Sequence, residues 1–186
     1  KFDLQPWRDM MSKYGTTYIG GSFCTDRMKL QPFKKYCDDK YGKGNYVTWL
    51  GIRSDEPKRL SKKDGINYLA DISDFEKPDI LSWWNKQEFN LEIDEHLGNC
   101  VFCIKKSVNK IALAAKDEPE LCAMQCNAIN GESVRVVDGR TTPSNVIYRG
   151  KNTLESVIAM FSDIDRDELS NSLKRARKYD SGSCSE

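Results

Sequence analysis

The chain has 186 residues, 39% of them hydrophobic and 31% charged, with a formal net charge of +1. That length can bury a substantial core, and the balance excludes a disordered chain. The near-neutral charge supplies no overall field for nucleic acid or a membrane surface, and apolar runs such as Val157–Phe161 are far too short to cross a bilayer.

Taken in order, Leu4, Trp7, Met10, Met11 and Tyr14 recur at helical spacing and predict a helix from Lys1 to Tyr14, ended by Gly15. Thr16–Ile19 is a short β-prone run, followed by Gly20-Gly21-Ser22. Thr25 is the expected cap of a helix from Asp26 to Lys40, with Pro32 imposing a kink or a late start. Tyr46–Ile52 is the best strand in the sequence. Its β-branched, aromatic and nearly continuous apolar character predicts burial on both faces of a parallel sheet.

A second short strand is expected at Tyr68–Ile72, then a helix capped by Ser73 or Asp74 and carrying Ile80, Leu81, Trp83 and Trp84. Trp83 and Trp84 read as one core and one rim residue. From Ser107 the stripe Val108, Ile111, Ala112 and Ala115 predicts a helix, and a second runs over about Glu118–Ala128. Asn130–Asn145 is rich in turn residues. Leu154, Val157, Ile158 and Phe161, then Leu169, Leu173 and Ala176, mark two closing helices. The expected class is α/β: a Rossmann-like parallel sheet flanked by helices over 1–106, with a mostly helical extension over 107–186 packed on it as a single compact unit.

Seven cysteines is an odd number, and no secretory signal segment is present. Both features fit reduced thiols inside the cell, so a cytoplasmic location is expected. Cys100 and Cys103 form a C-x-x-C on a tight turn, followed at once by Lys105 and Lys106. A sulfur-rich metal site needs four ligands. Cys24, at a strand-to-helix turn, is the expected third, and Cys184 is the fourth. His96 is the main rival, because H-x3-C-x2-C is also workable metal spacing. Cys37, Cys122 and Cys126 read as small buried hydrophobes.

The charged loop Arg53-Ser54-Asp55-Glu56-Pro57-Lys58-Arg59 follows the best strand directly, and open α/β folds bind ligands at that end of their strands. Arg53 and Arg59 have the fork that grips phosphate or sulfate, while Asp55 and Glu56 are placed to orient them or a ribose. Arg27 and Lys29, near Cys24, extend the same expected anion site. Gly20-Gly21-Ser22 is too short a signal for a phosphate cradle.

Cys24-Thr25-Asp26-Arg27-Met28-Lys29, Gly51-Ile52-Arg53-Ser54-Asp55-Glu56-Pro57-Lys58-Arg59 and Asn99-Cys100-Val101-Phe102-Cys103 together resemble the phosphoadenosine-phosphosulfate reductase family. The likeness is greatest to its phage- and prophage-encoded branch, within the adenine nucleotide α-hydrolase-like (PP-loop) superfamily, and runs from about Tyr14 to Cys184. It implies an adenine nucleotide or sulfonucleotide ligand bordered by Arg27, Lys29, Arg53, Asp55, Glu56 and Arg59. A thiol electron donor and a [4Fe–4S] cluster or zinc on the cysteines are implied as well.

Phe23 stands where cluster-bearing relatives have the first cysteine of a pair, so Cys184 replaces it, or the metal is zinc, or none is bound. The superfamily's S-G-G-x-[DT]-S loop is absent, as is the reductases' Glu-Cys-Gly motif, in place of which stands Gly182-Ser183-Cys184-Ser185. The chain begins at Lys1 and stops just after Cys184, so a fragment with its phosphate loop upstream is expected. Sulfur transfer to nucleic acid and a non-catalytic, metal-stapled binding module are the alternatives.

Overall fold

The computed structural model describes residues 4–179, so Cys184 lies outside the described residues. The protein is a mixture of helix and strand with one small parallel sheet. It divides into two compact units: Lys1–Phe23 with Ile93–Glu186, and Cys24–Glu92.

The first unit is helical and is built on α4 (Val108–Asp117). Ile111, Ala112, Leu113, Ala114 and Ala115 are all buried, so this helix is apolar all round its middle and sits inside. It packs against α5 (Pro119–Ile129), α6 (Leu154–Ala159) and α7 (Arg166–Tyr179). The break between α4 and α5 is dictated by Pro119. The residue before a proline avoids helical backbone, and Glu118 accordingly adopts φ −128°, ψ 62°. Thr153 and Ser156 start α6 with a reciprocal capping box.

In α1 (Gln5–Tyr14), Met11 is buried in the same core. Gly15 ends the helix at φ +77°, where an added Cβ would lie 2.5 Å from Val137 and 2.9 Å from the Arg135 carbonyl. Thr16–Ile19 forms no strand. Tyr18 instead makes an isolated bridge to Gly21, and a Cβ at Gly20 or Gly21 would collide with the Tyr18 ring. Those glycines make room for an aromatic ring, which explains their presence without a phosphate.

The second unit begins with a π-helical turn, Asp26–Leu30, that runs into α2 (Gln31–Tyr41). Pro32 is the second residue of α2, but Leu30 and Gln31 before it are already helical and continue the π-helical turn, so the helix does not start late there. Thr25 is itself helical and makes no side-chain cap. The sheet pairs β1 (Thr48–Leu50) with β2 (Ile66–Tyr68) in parallel, with Thr48 opposite Ile66 and Leu50 opposite Tyr68.

Both strands are shorter than expected. Asp71 accepts the Tyr68 N–H at 2.6 Å and turns the chain into a 3-10 turn at Leu69–Asp71, where the sequence suggested a strand. Nor is β1 buried on both faces: Trp49 is 51% exposed and only Ile52, just beyond it, is buried. The α3 helix (Lys77–Trp84) starts from Glu76 with Asp79 in a capping box, not from Ser73 or Asp74. Of its tryptophans, Trp84 is half-buried and Trp83 exposed, the two rings meeting edge-on at 4.7 Å.

The α4-centred core gives a direct stability expectation. Ile111→Ala should cost about 2–5 kcal/mol in urea unfolding followed by circular dichroism, and Val136→Ala, at an exposed site in the same unit, about 0.5 kcal/mol or less.

Candidate metal and anion sites

The cysteine turn of the first unit is fixed by its backbone. Leu97 and Gly98 N–H groups donate to the Asp94 carbonyl, and Asn99 takes the left-handed conformation at φ 57°. The Cys103 N–H then donates to the Cys100 carbonyl at 3.2 Å, closing a tight turn that carries both thiols. Phe102 and Ile104 anchor this turn in the core, leaving Cys100 exposed and Cys103 half-buried. The buried Tyr148 hydroxyl donates to the Phe102 carbonyl at 3.0 Å. The Lys106 ammonium donates to the carbonyls of His96 at 2.5 Å and Val101 at 3.1 Å.

His96, the sole histidine, is 7% exposed, and its Nε2 lies 2.6 Å from Asp117 Oδ2. Arg166, at the start of α7, grips the same carboxylate with both arms, Nε to Oδ1 at 2.8 Å and Nη2 to Oδ2 at 2.9 Å. Arg166 holds the Asp117 carboxyl below its usual range, with burial opposing and His96 helping. Asp94, His96 and Asp117 place ligand atoms within 4.8 Å of one another, the sole such group of three or more among the described residues. The bidentate guanidinium fills the Asp117 lone pairs and adds positive charge beside them. The arrangement is that of a salt-bridged clamp holding the cysteine loop and α7 to α4. Asp117 and Arg166 carry no local motif; their 49-residue separation hides the pairing from a sequence reading.

Cys122 and Cys126 lie one turn apart on α5. Burial pushes the Cys122 thiol up, and burial with the neighbouring Cys122 and Glu155 pushes Cys126 up to about 12. Burial also raises the Tyr148 hydroxyl well above its usual range, with Cys122, Cys126, Cys103 and Glu155 each adding to the rise. Cys37 is buried in the second unit and fits its expected role as a small hydrophobe.

In the second unit the arginine loop leaves the carboxyl end of β1. Arg53 Nε and Nη2 donate to the two oxygens of Asp55 at 2.8 and 3.2 Å, and its Nη1 is 3.5 Å from Glu56. Glu56 also pairs with Arg59, which lies on the 3-10 turn Pro57–Arg59. Asp55 further accepts the N–H of Lys77, the first residue of α3. The Arg53 hydrogen bond is the main reason Asp55 is held below the usual carboxylate range; burial opposes the drop at Glu56, and the two arginines outweigh it. Arg53, Asp55, Glu56 and Arg59 are thus brought together as one ion-paired loop. Arg27 and Lys29 are exposed on the separate π-helical turn, Arg27 3.8 Å from Asp26, and half-buried Cys24 precedes that turn.

Over 184 residues the chain is 57% identical to "Uncharacterized nin region protein ORF290" of Escherichia phage lambda. This relative is a phage protein. The match takes in 98% of the chain but 63% of the relative, so the chain spans less than two thirds of the curated relative's length. No family model matches the chain, and no solved structure does. Among the described residues no helix is long and apolar enough to cross a membrane.

The Asp117 clamp makes a pH prediction. A carboxyl held low in the folded state stabilises above its unfolded pKa of about 3.9, and that contribution fades as pH falls through the folded value. Asp117→Asn should therefore cost about 1.5–3 kcal/mol at pH 7. The gap from wild type should shrink steadily below about pH 4, as read by urea unfolding across pH.

Proposed function

We propose that this chain is part of a phage-encoded protein resembling the phosphoadenosine-phosphosulfate reductases, acting inside the cell on an adenine nucleotide or sulfonucleotide. In this reading β1 and β2 belong to a Rossmann-like sheet of the PP-loop superfamily. The observation that carries it is the Arg53–Arg59 loop, which leaves the carboxyl end of a parallel strand with two guanidiniums held in place by Asp55 and Glu56. A phosphate or sulfate competes for the Arg53 fork on equal geometric terms with the Asp55 carboxylate, since both accept two parallel N–H bonds. Asp55 then retains the Lys77 N–H, and Glu56 retains Arg59, so the loop keeps its shape while its charge turns to the ligand. Arg27 and Lys29 add positive charge in the same unit. The cysteines hold zinc or a [4Fe–4S] cluster, and a thiol is the class of electron donor that suits sulfonucleotide chemistry.

A second reading is favoured by one observation. The loop's two arginines and two carboxylates balance, and they are paired with one another. A loop whose two arginines are already paired within it, with Lys58 leaving the stretch at one net positive charge, suits a non-catalytic module stapled by metal, which keeps the fold without the nucleotide.

Calorimetric titration of the protein with adenosine 5′-phosphosulfate and with AMP separates the two. Arg53→Ala should weaken binding about tenfold or more, equal to roughly 1.4 kcal/mol. Arg53→Lys should weaken it nearly as much, because the charge remains and the fork does not. Nucleotide affinity unchanged in both variants would leave the loop an internally paired turn and favour the module.

A further inference from the structure

The second unit, Cys24–Glu92, exposes far more apolar surface than it buries. Among the described residues it leaves twelve large hydrophobics exposed and buries three, Cys37, Ile52 and Tyr68. A unit that hides so little has little to offset the entropy of ordering its chain. Its sheet shows where cover is missing. Among the described residues no strand joins β1 and β2, yet a two-stranded sheet is marginal alone and parallel sheets are covered on both faces. Side chains alternate between faces, so Leu50 and Ile52 share one and Val47 and Trp49 the other. Ile52 is buried, whereas Val47 is 57% and Trp49 51% exposed. The edge is open as well. The Thr48 N–H donates at 2.8 Å to the carbonyl of Gly65, just before β2, which turns the Trp49 N–H to the opposite edge of β1. An open apolar edge of this kind promotes aggregation unless it is covered.

We infer that the Val47–Trp49 face and the free edge of β1 are a docking surface within a longer polypeptide, occupied by the part of the protein that corresponds to the unmatched portion of the phage relative. More than a third of that relative lies outside the match, length enough for the strands and helices this sheet lacks. Parallel neighbours are joined by crossovers within one chain, which selects this occupant over a second copy. The composition of Tyr46–Ile52 then has its reason: it is that of a strand buried on both faces, and the second face is buried in the longer protein. This rests on the reading above that the chain is part of a longer protein, and not on the nucleotide.

The test is hydroxyl-radical footprinting, read by mass spectrometry, of the intact gene product and of the 186-residue chain. Going from half exposed to buried, Trp49 should be oxidised about fivefold more slowly in the intact protein, while Met160, exposed on the first unit, keeps its rate. Trp49 oxidised equally fast in both overturns the inference and leaves the longer-protein reading standing. An intact product no longer than this chain overturns both. Protection of Trp49 already present in the 186-residue chain also overturns it, and protection that grows with protein concentration assigns the face to a second copy. Should the 186-residue chain fail to fold, the intact protein decides alone. Oxidation of Trp49 more than about fivefold slower than that of a free tryptophan amide is the expected result, and any faster rate overturns the assignment.

Discussion

The carboxylate of Asp117 ties three segments of the first unit together. It ends the buried helix α4, accepts both arms of Arg166 from α7, and faces His96 from the loop that becomes the cysteine turn. Aspartate in such a place is stable only because each oxygen is met by a donor, since an unpaired buried charge is costly. The consequence reaches the thiols. With His96 fixed, its carbonyl holds the Lys106 ammonium, which also binds the Val101 carbonyl, and Tyr148 holds Phe102 from the other side. The C-x-x-C turn is therefore held by hydrogen bonds to the carbonyls of Val101 and Phe102 within it.

The second unit works on a different principle. It buries little apolar surface, chiefly Cys37, Ile52 and Tyr68, and its loop after β1 is ion-paired within itself. Two arginines and two carboxylates there hold one another, so the loop's shape is set without a ligand. Preorganised forks lose little freedom on binding, but an anion must displace a carboxylate already in place.

Much of the helical part was legible in the residues. The Val108, Ile111, Ala112, Ala115 stripe from Ser107 and the expected helix over Glu118–Ala128 place the start of α4 and both ends of α5 within a residue or so. Local signals decide such elements. The strands were less legible. Tyr46–Ile52 has the composition of a buried strand, yet only Thr48–Leu50 pairs, because strand length is set by a partner and β2 is cut short by the Asp71 side chain. The arginine loop was readable from its position after a strand, though not its internal pairing. Asp117 and Arg166 were illegible, being joined only by the fold. Of the two cysteines of α5 expected to be small buried hydrophobes, Cys122 is buried and Cys126 half-buried.

The central claim is that this protein organises thiols around a metal, and the most direct measurement is X-ray absorption at the metal edge of the loaded, intact protein. Four sulfur neighbours at about 2.3 Å is the predicted shell. A shell of nitrogen and oxygen at about 2.0–2.1 Å would place the ion at Asp94, His96 and Asp117 instead and contradict the account.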